Sequence, residues 1–217
     1  MTIKVMIVGG GFGSYSRLFL ERGFCLTNDY NQADLIQFTG GEDVSPSLYG
    51  EAEHPLSFCN PHRDAREQAI YESMVARGVP MAGICRGGQF LNVVNGGSMY
   101  QHVDNHGRPH VIYDTETNKE ICLATSTHHQ MMIAGKHGKV LAFANESAHR
   151  ECMVGKSILE YKGAADDTEV VYYDATKCLC FQPHPEIGPK ELKDYYFSLL
   201  EQCFGIVAPG AQLGATA

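Results

Sequence analysis

Three short apolar runs, residues 3–8 (IKVMIV), 35–38 (LIQF) and 79–84 (VPMAGI), alternate with stretches of helical periodicity. No other feature limits the fold as tightly. Runs this short and this uniformly apolar read as buried strands. Strands that alternate with helices imply a mostly parallel sheet covered by helices. One intervening helix is expected over Ser14 to Arg22. A clearer one runs from Pro61 to Ala76, with Asn60 as N-cap, proline in the first helical position, and Gly78 and Pro80 at its end. Ala65, Ala69, Ile70, Met74 and Val75 form its apolar stripe, and Arg63, Asp64, Arg66 and Glu67 read as a solvated first turn.

Beyond residue 97 the texture changes. SMYQHV, PHVIY, EICLA, KVLAFA, ECMV, SILEY, EVVYYD and CLCF are short, strand-like and separated by turn residues. A last helix is expected from Pro189 to Cys203, with Leu192, Tyr195, Tyr196, Leu199 and Leu200 as its stripe. The expected architecture is therefore α/β and three-layered, with a mostly parallel central sheet flanked by helices and an antiparallel, strand-rich second half. The 217 residues suffice for one such domain, read here as 1–205, with 206–217 as a flexible tail.

The net charge of −8 argues against a nucleic-acid partner. No apolar run approaches the roughly 20 residues of a membrane span. The opening MTIKVMIVGGG reads as a first strand rather than a signal peptide. Eight cysteines without an export signal point to thiols in a reducing cytoplasm. Cys178 and Cys180, two apart in a strand, read as packing residues.

Cys85 is different. It sits where the apolar MAGI run turns into RGGQFLNVV with no loop between. A turn this tight strains its apex residue and projects it outward. The helix N-terminus beside the sulfur favours thiolate, and its free N–H groups suit an oxyanion. A thiol nucleophile needs a base, and the base needs an orienting group. CFQPHPEIG supplies both: His184 lies between two prolines, and Glu186 falls on the same side two residues later. Gly40 and Gly41 follow the second strand at the sheet end where ligands bind, and can offer a further N–H donor.

Two rival sites are weaker. Gly9-Gly10-Gly11-Phe12-Gly13-Ser14 reads as a tight strand-to-helix turn rather than a dinucleotide loop, because Ser14 takes the third glycine's place. His102, His106 and His110 are four apart, a spacing that suits a metal on a helix, but Gly107 and Pro109 interrupt any helix there. No metal and no cofactor are expected.

GICRGGQ and QPHPE together resemble the class I glutamine amidotransferase family. TGGEDVSPSLYG, the long stretch RDAREQAIYESMVARGVPMAGICRGGQFLNVVNGGSMYQHV, and STHHQMM are similar to its γ-glutamyl-GABA hydrolase branch, peptidase family C26. The resemblance covers residues 35–188. It implies a flavodoxin-like sheet of seven or eight strands. It implies catalysis by Cys85, His184 and Glu186 through a γ-glutamyl thioester, with oxyanion donors on the backbone of Gly41 and Arg86. Substrate contacts are implied for Gly40, Gln89, His128, His129 and Gln130. The substrate would be glutamine or a small γ-glutamyl amine. Three readings stay open: a stand-alone γ-glutamyl hydrolase, a glutaminase feeding ammonia to a separate synthetase, and a catalytically silent binding protein. A homodimer is compatible with each.

Overall fold

The computed structural model describes residues 3–163 and 165–210. The first elements alternate as expected: β1 (Lys4–Val8), α1 (Phe12–Leu20), β2 (Cys25–Leu26), β3 (Leu35–Phe38), α2 (Pro61–Arg77), β4 (Met81–Ile84) and α3 (Arg86–Val94). Strands then dominate: β5 (Ser98–Tyr100), β6 (His102–Val103), β7 (His110–Asp114), β8 (Glu120–Ala124), β9 (Met131–Ile133), β10 (Lys139–Ala144), β11 (His149–Val154), β12 (Ser157–Lys162), β13 (Asp167–Tyr173) and β14 (Cys178–Phe181). The last helix is α4 (Lys190–Phe204), with Pro189 as its N-cap residue.

The main sheet has nine strands in the order β2-β1-β3-β4-β14-β13-β10-β7-β8. From β2 to β14 the neighbours are parallel; from β14 to β8 they are antiparallel. The antiparallel β7–β8 hairpin carries the sheet beyond the seven or eight strands the resemblance implies. The remaining strands form a β12-β11-β6 sheet and a β5-β9 pair.

Alternation along the central strands splits the core into two layers. Leu35, Ala82, Leu179 and Phe181 pack against Phe19 of α1 and Tyr196, Leu199 and Leu200 of α4. Their neighbours Ile36, Met81, Cys178 and Cys180 pack against Ile70 and Met74 of α2 and Phe90 and Leu91 of α3. The two cysteines thus share one face, as their spacing predicts.

The α2 boundaries follow from its caps: Asn60 accepts from the Arg63 N–H at 3.2 Å, and Gly78 closes the helix in the left-handed region at φ 67°. Its inner face differs from expectation. Ala65 and Ala69 are exposed, while Arg63, Asp64 and Glu67 are buried; of the four charged residues only Arg66 is exposed. The cause is Arg86, which enters from the start of α3 and pairs with both Asp64 and Glu67. The buried face therefore runs from Arg63 and Glu67 to Ile70 and Met74, at helical spacing.

The start of the expected flexible tail is anchored. Ile206 and Ala208 are buried, and the Gly210 N–H donates to the Arg22 carbonyl at 2.9 Å. The rest of that segment, 211–217, lies outside the described residues. Among the described residues, no helix is long and apolar enough to cross a membrane.

Candidate active site

Register puts the candidate groups together. β14 runs parallel beside β4, with Phe181 opposite Ile84, so the residues following both strands emerge at one end of the sheet. Cys85 follows Ile84, and its N–H donates to the Phe181 carbonyl at 2.8 Å. The cysteine is held at φ 52°, ψ −116°, a region that costs a side-chain-bearing residue about 1–3 kcal/mol. The turn is tight because α3 lies almost on the sheet. A Cβ at Gly87 would come within 2.5 Å of the Phe38 carbonyl oxygen, and one at Gly88 within 2.8 Å of the Phe181 nitrogen. The glycines after Cys85 are thus a packing requirement that brings the helix terminus up to the sulfur. The Arg86 N–H lies in the first turn of α3, where no intrahelical acceptor exists. The Arg86 guanidinium points away, into the buried acids.

His184 is fixed from three sides. Its N–H donates to the Thr125 carbonyl at 2.9 Å, and its Nδ1 lies 2.7 Å from Glu186 Oε1. The carboxylate accepts, so Nδ1 carries the proton. Nε2 is then the nitrogen facing Thr127 Oγ1, at 3.0 Å, and Cys85 is close enough to act on the ring's charge. Burial alone lowers the imidazole's pKa, but Cys85 and Glu186 outweigh it and raise the value from 6.5 to about 10. Cys85 and His184 are only 8% and 9% exposed.

A folded-state value above the free value has a defined consequence. The imidazolium's contribution to stability is present in full below pH 6.5 and is lost as pH rises towards 10. Glu186→Gln removes one of the groups that raise the ring. The variant is expected to lose less stability than the wild type between pH 7 and 10, read from urea midpoints across that range.

The segment after β3 completes the site. A Cβ on Gly40 would lie 3.0 Å from the Tyr15 hydroxyl, 3.4 Å from His184 Cε1 and 3.6 Å from Cys85 Cβ. Glycine leaves the approach to the cysteine–histidine pair open. Tyr15 accepts from the Gly40 N–H at 2.9 Å and lies beside Glu186; burial, then that carboxylate, pushes its hydroxyl pKa well up, so it stays a neutral donor. Arg63 grips the same segment, donating to the carbonyls of Thr39 at 2.9 Å and Gly40 at 3.1 Å and pairing with Glu42 at 2.8 Å. Gly41, at φ 142°, has no hydrogen-bond partner for its N–H among the described residues. Tyr15 lies in no motif, and Arg63, although it opens a family-like stretch, read as part of a solvated helix turn, so sequence reasoning missed both.

The other expected substrate contacts separate. Gln89 is buried and donates to the Gln130 carbonyl at 3.3 Å and to Gln182 at 3.1 Å. Gln130 is buried and donates to Ser57 at 3.3 Å. His129 is half-exposed and pairs with Asp43 at 3.2 Å, which raises its pKa. His128 is turned into the interior. It is buried among His106, His110 and Glu169, because its Nδ1 is drawn to the Gln130 carbonyl at 2.8 Å.

The peptidase C26 family matches residues 26–186, well over half of the chain, and that span contains Cys85, His184 and Glu186. The chain belongs to the peptidase C26 family. Rv2859c of Mycobacterium tuberculosis, provisionally named a glutamine amidotransferase, is 47% identical over 69 residues, 31% of this chain and 22% of the relative. The chain matches less than half the length of its curated relatives. A glutamine amidotransferase of Thermotoga maritima superposes with a TM-score of 0.61 at 16% identity, covering 93% of this chain and 85% of the other. A Thermoplasma acidophilum protein, provisionally described as one component of a GMP synthase, gives 0.59 at 15% identity, covering 94% and 96%. These likenesses establish that this C26 protein has the class I glutamine amidotransferase fold.

Proposed function

We propose that this C26 protein hydrolyses the γ-glutamyl amide of glutamine or of a small γ-glutamyl amine. The observation that carries the reading is the strained Cys85 at a helix N-terminus, beside an imidazole whose far nitrogen is held by Glu186. The Cys85 thiolate attacks the amide carbonyl. The N–H groups of Gly41 and Arg86 receive the oxyanion. His184 gives its Nε2 proton to the departing nitrogen, the C–N bond breaks, and a γ-glutamyl thioester remains. A water then loses a proton to His184 and attacks the thioester carbon. The C–S bond breaks, glutamate leaves, and the thiolate is restored. Glu186 holds the ring in the required tautomer throughout. Gly40 leaves room for the glutamyl chain, and Gln89, His129 and Gln130 flank its path.

Glutamine, γ-glutamyl-GABA and γ-glutamyl-p-nitroanilide are to be assayed for glutamate release, with hydroxylamine added to capture the thioester as γ-glutamyl hydroxamate. Turnover of the amine substrates by the chain alone, with hydroxamate formed, is the expected result. Glutaminase activity that appears only with an ammonia-consuming synthetase would move the assignment to a glutaminase that works within a larger complex. No release from any substrate, with Cys85 inert to iodoacetamide, would leave a binding protein.

A further inference from the structure

Behind the candidate active site lies a second cluster of chemistry-bearing side chains that the reaction does not use. Glu169 on β13 is fully buried, and among the described residues no lysine or arginine pairs with it. Around its Oε1 stand three histidine nitrogens: His110 Nε2 at 3.0 Å, His106 Nδ1 at 3.4 Å and His128 Nε2 at 3.9 Å. The donor atoms of His106, His110 and Glu169 all lie within 4.8 Å of one another.

The opposite nitrogen of each ring faces an acceptor. His110 Nδ1 is 3.2 Å from the Arg108 carbonyl, and His128 Nδ1 is 2.8 Å from the Gln130 carbonyl. His106 Nε2 is 3.1 Å from Asp167 Oδ2 and from Ser147 Oγ. Carbonyl and carboxylate oxygens only accept, so these outer nitrogens carry the protons. Of the inner nitrogens, His110 Nε2 hydrogen-bonds Glu169 Oε1 at 3.0 Å, whereas His106 Nδ1 and His128 Nε2 face the same carboxylate without a hydrogen bond. His106 Nδ1, His128 Nε2 and Glu169 Oε2 have no hydrogen-bond partner although they are buried. Three buried polar atoms without partners around one carboxylate are costly, and a cation among them would engage all three.

We propose that His106, His110 and Glu169 bind a four-coordinate transition metal ion, with zinc the best fit, and that His128, outside that close group with its Nε2 3.9 Å from Glu169 Oε1, moves in as the fourth ligand. Four ligands at zinc's usual bond lengths stand about 3.3 Å apart, close to the separations found around Glu169. Three imidazoles and one carboxylate match zinc's donor preference. The acceptors on the outer nitrogens are the partners that fix the tautomer of metal-bound histidines. Four protein ligands and complete burial make the site structural, loaded as the chain folds. The ion would tie the loop carrying His128 to β7 and β13. That loop also carries Thr127, which meets His184, and Thr125, which holds its N–H. The spacing of His106 and His110 is the sequence signal; the absence of a helix conceals it, because a loop and the first residue of β7 bring the two together instead. The inference is independent of the proposed hydrolase activity.

The test is metal analysis of the full chain, expressed without a histidine tag and desalted. One zinc per chain is expected. Removing it with a chelator should lower the melting temperature by at least about 5 °C, and added zinc should restore it. Cobalt(II) added to the stripped protein should give the visible absorption of a four-coordinate ion. Glu169→Gln and His110→Ala should each lose the metal; if they fail to fold, the wild-type cobalt spectrum still decides. Metal below about one-tenth per chain, with no thermal shift and no visible band on adding zinc or cobalt, overturns the proposal and leaves a metal-free histidine–carboxylate cluster.

Discussion

Cys85→Ala is expected to release glutamate from a γ-glutamyl amide at least about ten-thousand-fold more slowly than the wild type, because no other group can form the thioester. Its stability should hold, since the small, nearly buried thiol contributes little packing. Cys85→Gly is expected to be equally inactive but more stable than Cys85→Ala. Alanine keeps a Cβ at φ 52°, ψ −116°, and so keeps the strain; glycine releases it. Relief of about 1–3 kcal/mol exceeds the roughly 0.5–1 kcal/mol of extra chain entropy that glycine loses on folding. The difference corresponds to a melting temperature about 2–4 °C higher for the glycine variant in a chain of this size. A glycine variant that melts below the alanine variant would show that the elbow stores no strain. Retained turnover in either variant would remove Cys85 from the reaction.

Of the parallel strands, β1, β3 and β4 were legible because each is a short apolar run, whereas the two-residue, exposed β2 carries no such signal and β14 read as part of the antiparallel half; the caps of α2 were legible because Asn60, Pro61 and Gly78 act locally. The elbow and the QPHPE turn were legible for the same reason: a handful of adjacent residues encode each. Long-range pairing was hidden. Arg63, Asp64 and Glu67 look like any solvated helix start, because charged residues are seldom fully buried unless paired. Their partner Arg86 lies beyond β4, and no local signal announces that its side chain turns inward. His128 was expected beside the substrate by its place in a motif, whereas its burial depends on Glu169, far along the sequence on β13. Tyr15 reaches the site only because α1 and α4 share a face of the sheet.

Glu67→Ala is expected to destabilise the fold by about 3–5 kcal/mol, the largest loss of any single substitution in the acid–arginine network. Glu67 is wholly buried and accepts from Arg63 Nε at 2.7 Å and from the Arg86 guanidinium. Burial pushes the Arg86 pKa below its usual value, with Glu67 the first carboxylate opposing the shift, so this carboxylate is the main counter-charge to the buried guanidinium. Removing it leaves two buried cations with too little counter-charge. Arg86→Met should cost distinctly less. Glu67 would keep Arg63, Asp64 would keep the Ser45 N–H at 3.2 Å, and a methionine side chain can follow the arginine's path beside Phe90. Urea unfolding of the two variants checks the order. The same substitutions separate stability from chemistry. Arg63 is the group that grips Thr39, Gly40 and Glu42, so loosening it through Glu67→Ala should also misplace the Gly41 N–H. Turnover per folded molecule should then fall in Glu67→Ala and hold in Arg86→Met, whose backbone N–H is untouched. Equal loss in both would mean that the network supports the fold alone, without setting the geometry of the oxyanion donors.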